Sequence, residues 1–268
     1  MSKGEVQAAA LVSASCDAIV ARGSNIAQEV TGGAAELEEW RRYPEGEFYD
    51  PDSHGQYFYH HHGGGAGSPS PRSCEHGHFH IFLREEGMPA GVAPLLLPEL
   101  AVADVALPPQ AAPSKRGQRD GVCHLVAIAV DSKGAPLRLF TTNRWVTGET
   151  WYRAEDVVRM LDRFVIRGEQ PSPELNAWIS GMVALFRPQI AALLRMRDKT
   201  IMGWRRRRRV HVFEDPRLEI TSSLDIDLAA RLAEVRGRHR APVTATAVPR
   251  RSRLPRMDEG WLEEGVAS

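Results

Sequence analysis

The sequence predicts an α+β fold: a small, mainly antiparallel sheet packed with several helices, followed by a disordered C-terminal tail. Three observations carry this. The stretch "HGHFHIFL" (76–83) alternates polar and apolar residues, the period of a strand with one face in a core. Two apolar runs flank Asp131-Ser132-Lys133-Gly134, which has the composition of a hairpin turn. Leu175, Trp178, Ile179, Met182, Leu185, Phe186, Ile190, Leu193 and Leu194 recur at three-four spacing, the mark of a helix with one buried face.

The elements follow in chain order. Residues from Glu5 to Val30 read as one helix, stopped by Gly32 and Gly33, and the segment 1–35 is set apart as an N-terminal helix. "AAELEEWRRYP" reads as a second short helix ended by Pro44. The aromatic and histidine-rich segment 43–73 reads as turns, then as a Gly/Ser/Pro loop near 61–73. The histidine strand follows, then a second mobile loop near 105–120. Beyond the hairpin, "TGETWYRAEDVVRMLDRFVI" reads as a helix. Ser172 as N-cap and Pro173 at the first position open the long one, and Pro188 is expected to kink it. "HVFEDPRLEITSS" suggests a short strand pair and "LDIDLAARLAEVRGR" a last helix. The expected organisation is a single domain over 36–232 and a disordered Arg/Pro-rich tail over 233–268.

Composition narrows the function. Hydrophobic residues make up 43% and charged residues 25%, as in ordinary globular chains. The formal net charge is zero, so no overall field draws the protein to nucleic acid or membrane. Three cysteines are too few for a disulfide framework and fit a reducing compartment. No apolar run approaches a membrane span. The expected location is the cytoplasm, and the expected partner a small molecule. The arginine run Arg205–Arg209 and the tail arginines suit nucleic acid electrostatically, but a cationic helix end in solvent explains the run equally well. No P-loop, dinucleotide fingerprint or G-x-S-x-G is present.

The strongest chemical signal is "CEHGHFH" (74–80). On a regular strand Cys74, His76, His78 and His80 share one face while Phe79 and Ile81 take the other. Residues i and i+2 on a strand lie roughly 6.6 Å apart, close enough for two imidazoles to share one ion. His78 and His80 therefore form the minimal site. Completion is open to His124, His76, His60 with its neighbours His61 and His62, His54, or Cys74. The set favoured for geometry is His78, His80 and His124. A mainly imidazole set suits a divalent transition metal, with zinc, iron, copper and nickel not distinguished. Asp52, Glu75 and Glu149 are the carboxylates available to stand behind the rings, although Glu75 faces away if the strand is regular. The alternative is a row of strand histidines bonded to backbone and carboxylates.

"FTTNRWVTGETWY" (140–152) supplies further candidates. Arg144 can grip an anionic substrate, and Glu149 stands at a helix entrance. The structural alternative pairs Arg144 with Glu149 or Asp156 and places the tryptophans in the core.

Three resemblances bear on function. "GHFHIFL" resembles the His-hydrophobe-His strand of rolling-circle replication and transposition endonucleases, which implies a metal on His78 and His80 and a tyrosine nucleophile, here Tyr152. The same stretch resembles the first cupin motif through His78, His80 and Glu85, but the helix-rich second half does not suit a cupin. Over much of 43–223, through "YPEGEFYDPDSHGQYFYH", "EHGHFHIFLREEGMP", "HLVAIAVDSKGAPLRLFTTNRWVTGETWY", "LFRPQI" and "VFEDPRLEITSS", the chain resembles an uncharacterised bacterial family of unknown function. The function expected is a metal-dependent enzyme on a small, anionic substrate. The alternatives are a non-catalytic metal-binding or sensing protein and a metal-dependent single-strand endonuclease.

Overall fold

The structure, a computed structural model, describes residues 3–34, 36–39, 41–61, 74–95, 121–208 and 211–240. The expected loops near 61–73 and 105–120 and the part of the expected tail beyond 240 lie almost wholly outside the described residues, as do His62 and Arg209; residues 233–240 of that expected tail are instead helical, with Val235 in the core. The sheet is six-stranded, with every neighbouring pair antiparallel and spatial order following chain order. Its strands are β1 (Arg42–Tyr49), β2 (Gly55–His61), β3 (Gly77–Arg84), β4 (Val122–Val130), β5 (Pro136–Thr142) and β6 (Ile220–Asp225). Helices α1 (Lys3–Ala21) and α2 (Ile26–Thr31) precede it. Between β5 and β6 come α3 (Arg144–Thr147), α4 (Ala154–Leu161), α5 (Pro173–Leu185) and α6 (Arg187–Arg208), and α7 (Leu228–Arg240) is the last element of the described residues. The α+β class is as the periodicity predicts.

The two faces of the sheet differ. Tyr57, Tyr59, Phe79, Ile81, Leu125, Ile128 and Leu139 point to the helices and join Val12, Trp178, Ile179, Met182 and Ile190 in the main core. The opposite face carries Phe58, Phe82, Val122, Ala127, Ala129 and Phe140 and the histidines. Segment 1–35 is not separate from this core: α1 packs along α5 and buries Ala8, Ala9, Val12 and Ile19. Among the described residues α1 is the one helix that is by itself long and apolar enough to cross a bilayer, and 28% of its apolar window is buried.

Several elements depart from the periodicity. The first helix is two, because Gly23 takes a left-handed φ of 73° and Asn25 then caps α2, accepting from the Ala27 and Gln28 amides. The stretch expected as a helix before Pro44 leads instead into β1, and the turn-like segment after it holds β2. As the sheet's edge strand, β1 tolerates Pro44, and a register break between Tyr43 and Phe48 absorbs Gly46. The helix expected over 147–166 shrinks to α4, because Gly148 ends α3 in the left-handed region. Ser172 and Pro173 open α5 as expected, the Ser172 hydroxyl accepting from the Leu175 amide. In place of a kink at Pro188 the helix breaks at Phe186, two residues earlier, and α5 and α6 meet at 68° with Pro188 in the first turn of α6. One short 3-10 turn (Val212–Glu214) and β6 replace the expected strand pair.

Candidate metal centre

The face of the sheet away from the helices is laid out in cross-strand rows. One row reads Arg42, His60, His78, Ala129, Arg138 across β1 to β5. The next reads Phe58, His80, Ala127, Phe140. The two alanines matter, because small side chains on β4 leave room above the central strands for the rings on β3. Phe140 meets His78 edge-on with centroids 4.9 Å apart, and Phe58 lies 5.0 Å from His80.

Within this frame three imidazoles converge. His60 Nε2 is 2.7 Å from His78 Nε2, and His78 Nε2 is 3.1 Å from His80 Nε2. One ligand nitrogen from each of His60, His78 and His80 lies within 4.8 Å of the others. Metal–nitrogen bonds of about 2.0–2.1 Å at tetrahedral angles place ligand nitrogens about 3.3 Å apart. Shifts of a few tenths of an ångström would bring His78 into line with each neighbour.

His124 reaches the same face through an irregularity. The β3–β4 register shifts between Ile81 and Phe82, so that Phe82 faces His124. An unbroken ladder continuing from Ile81 and Val126 would set His124 opposite Leu83 and turn it into the helix-side core. The bulge brings it to His80, but not to the focus of the other three. His124 Nε2 lies 3.1 Å from His80 Nδ1, the ring's other nitrogen, and its own Nδ1 lies 3.5 Å from Thr142 Oγ1. The set His78, His80 and His124 is therefore replaced by His60, His78 and His80, with His124 behind His80.

Glu75 stands behind His78. Its Oε1 is 2.9 Å from His78 Nδ1, while Oε2 accepts from Arg138 Nε and Nη2 at 3.1 and 2.9 Å. The expectation that Glu75 faces away assumed a regular strand from Cys74, but β3 starts at Gly77 and the lead-in residues follow no alternation. Burial opposes the Glu75 charge, yet His78 and Arg138 outweigh it and hold the carboxyl at about 2. These partners assign the proton of His78 to Nδ1, which leaves Nε2 as a bare acceptor facing His60 and His80. If His80 presents Nε2 in the same way, its Nδ1–H donates to His124 and the chain ends on the Thr142 hydroxyl.

Electrostatics favour neutral rings at His80 and His124. Burial, then the charges of His78, His124, His60 and Arg42, push His80 well below the ordinary histidine range. Burial, with Arg197 and His78 after it, lowers His124 to about 3. Neutral imidazole is the form that ligates a metal. The Glu75–His78 link makes a prediction: Glu75→Gln should weaken metal binding about 10–100-fold, the usual cost of losing a partner behind a ligand. Chelator competition measures it, and unchanged affinity would remove Glu75 from the centre.

The remaining sequence candidates lie elsewhere. His76 is off the histidine face, with Nδ1 2.6 Å from the Tyr59 hydroxyl, because it precedes the strand. His61 Nδ1 meets the His76 carbonyl oxygen, His54 bonds Tyr49, and Cys74 is exposed. Arg144 neither pairs with Glu149 nor faces the histidines; it holds Glu214 and stacks over Phe213. Tyr152 packs in the helix-side core, so the nucleophile implied by the endonuclease resemblance does not face the histidines.

Glu149 is buried against the back of the centre, its Oε2 accepting the His124 amide at 2.6 Å. Burial raises its pKa to about 8 against the lowering effects of Arg197, the His124 amide, Thr147 and Arg144. A carboxyl raised in the folded state gives stability that is present below the unfolded pKa of 4.5 and is lost as pH climbs through about 8. Above pH 6.5, where the buried His80 and His124 no longer contribute, denaturant midpoints should therefore fall toward pH 8 in the wild type, and the fall should shrink in Glu149→Gln. An equal fall in both proteins would place the titration elsewhere.

Arg42 and Arg138, which sequence reasoning missed, flank the triad. Each guanidinium lies over a phenylalanine of the next row, Arg42 on Phe58 and Arg138 on Phe140, both at 4.2 Å. Each also pairs with a carboxylate, Glu47 and Glu75 respectively.

The fold and site define an antiparallel α+β domain with a histidine cluster on the sheet face away from the helices. Residues 6–226 match the model of a domain of unknown function, DUF6969, and the chain belongs to that family. No curated protein and no solved structure matches it.

Proposed function

We propose that this protein is a metal-dependent enzyme that holds one divalent transition metal on His60, His78 and His80 and acts on a small, anionic molecule in the cytoplasm. The observation that carries the reading is the convergence of three ring nitrogens, one of them backed by a carboxylate. Three neutral imidazoles leave a divalent ion its full charge and a further coordination position, which supplies Lewis acidity there. The chain's own residues do the rest. Glu75 and Arg138 fix His78, His124 and Thr142 support His80, and Phe58 and Phe140 wall the rings and lower the local dielectric. The anionic preference rests on Arg42 and Arg138, which lie in the same row as His60 and His78.

A second reading, metal binding without turnover, draws on burial: His80 is 1% and His78 7% exposed, which suits a closed site. Cobalt(II) and azide separate the two. In the enzyme reading azide takes the open position and changes the visible spectrum of the cobalt-loaded protein. A cobalt spectrum that azide leaves unchanged would favour the closed, non-catalytic site.

A further inference from the structure

The far end of α6 carries a run of cations that the metal centre does not use. Arg205, Arg206, Arg207 and Arg208 fill its last turn, and the last three are exposed. The negative end of a helix favours a cation or two at this position. Four in succession go beyond that. Steps of about 100° spread them around the helix axis, and like charges three or four apart repel. Among the described residues Arg206, Arg207 and Arg208 have no carboxylate partner. Arg206 donates its Nε to the Met202 carbonyl of its own helix at 3.3 Å.

Aromatic rings stand beside these cations. Trp204 lies one turn back on α6, and the Arg208 guanidinium sits 5.2 Å from its ring centroid. Trp204 packs on the small cluster that holds Phe213 and Leu218, and its Nε1 donates to Asp215 Oδ2 at 2.8 Å. The link into β6 is thereby fixed against the end of α6. That link in turn holds Trp145, whose Nε1 donates to the Leu218 carbonyl at 2.9 Å. Trp145 is 37% exposed. With its one polar atom engaged, what it offers to solvent is a held, apolar ring.

The carboxylates of this corner do not cancel the run. Glu214 is taken by Arg144, and Asp215 by Arg217 and the Trp204 indole. The exposed Glu219 stands against three open arginines, so the corner stays cationic. The zero net charge of the whole chain does not oppose this, because salt screens exposed charges beyond about 8 Å.

We propose that this corner binds single-stranded nucleic acid without sequence preference, with phosphates on Arg206, Arg207 and Arg208 and a base stacked on Trp145. The planar guanidinium matches phosphate oxygens, and cations beside an aromatic platform are what sequence-tolerant single-strand binders combine. A duplex keeps its bases stacked on one another and leaves Trp145 unused. A lipid surface calls for a free apolar face, and α6 turns its own into the core through Ile190, Leu193, Leu194 and Ile201. The test is fluorescence anisotropy of a labelled oligothymidylate with the full chain over a salt series. Arg206→Gln, Arg207→Gln and Arg208→Gln together should make the log–log salt dependence shallower by about 2, three phosphates at about 0.7 each. These positions are exposed, so the thermal midpoint should not move. Trp145→Leu should weaken binding by about fivefold or more and leave the salt dependence unchanged. Inorganic polyphosphate and phosphatidylserine vesicles, which lack bases, should compete poorly. The proposal is overturned if the oligonucleotide does not bind, if the arginine variant keeps the wild-type salt dependence, if Trp145→Leu binds like the wild type, or if either base-free anion binds as tightly.

Discussion

Replacing His78 and His80 together by alanine should abolish metal binding and leave a folded protein. Both rings sit on the face of β3 away from the main core, whose contacts run through Phe79, Ile81 and Leu83. Removing the rings takes away two of the three converging nitrogens and the anchor for Glu75. The readout is thermal unfolding with and without zinc. A ligand at a hundred times its Kd stabilises the native state by about 2.7 kcal/mol, and that increment should vanish in the double variant. The metal-free double variant should unfold cooperatively, within a few degrees of the metal-free wild type. If zinc raises both midpoints equally, the bound ion sits elsewhere.

The second large effect concerns Arg197, a buried cation on α6 that is 1% exposed. Its Nη2 donates to the Tyr152 carbonyl at 2.6 Å and to Asp198 Oδ1 at 2.8 Å, and its guanidinium lies 4.2 Å from the Trp151 ring centroid. Asp198 in turn accepts the Ala154 amide at the start of α4. The cluster thus ties α6 to the segment that follows Glu149. Arg197→Ala leaves the Tyr152 carbonyl without this donor and Asp198 without its cation, although the Ala154 amide remains on Asp198. The Asp198 side chain keeps 28% of its surface in water, so the main cost is the buried Tyr152 carbonyl left without its donor, about 1–3 kcal/mol. Urea midpoints measure it, and a loss below about 1 kcal/mol, the scale of an exposed pair, would contradict this account.

How much of this was legible in the sequence differs by residue. The alternation through "HGHFHIFL" placed His78 and His80 together because strand periodicity is local and needs no knowledge of neighbours. His60 was visible only as part of a histidine run, because Pro44, Gly46 and "DPDSHG" disguise β1 and β2 as turns. Its place opposite His78 is a matter of register, which pairing sets and composition does not. His124 was assigned one position too close to the focus. The β4 bulge that aims it at His80 leaves no mark in its apolar run. Arg138, 63 positions from Glu75, and Arg42 join the site only once five strands lie side by side. Alternation extended back to Cys74 turns Glu75 away from the site, but the strand begins only at Gly77.

The central claim is that three imidazoles of this chain hold one metal. Its most direct test is elemental analysis of untagged protein carrying His61→Ala and His62→Ala, which removes the neighbouring histidines of the run. It is paired with X-ray absorption at the edge of whatever metal is found. One transition-metal ion per chain is expected, with three imidazole nitrogens at about 2.0–2.1 Å, lost when His60, His78 or His80 is replaced. A folded protein that carries no metal and acquires none when offered zinc, iron, copper or nickel would contradict it.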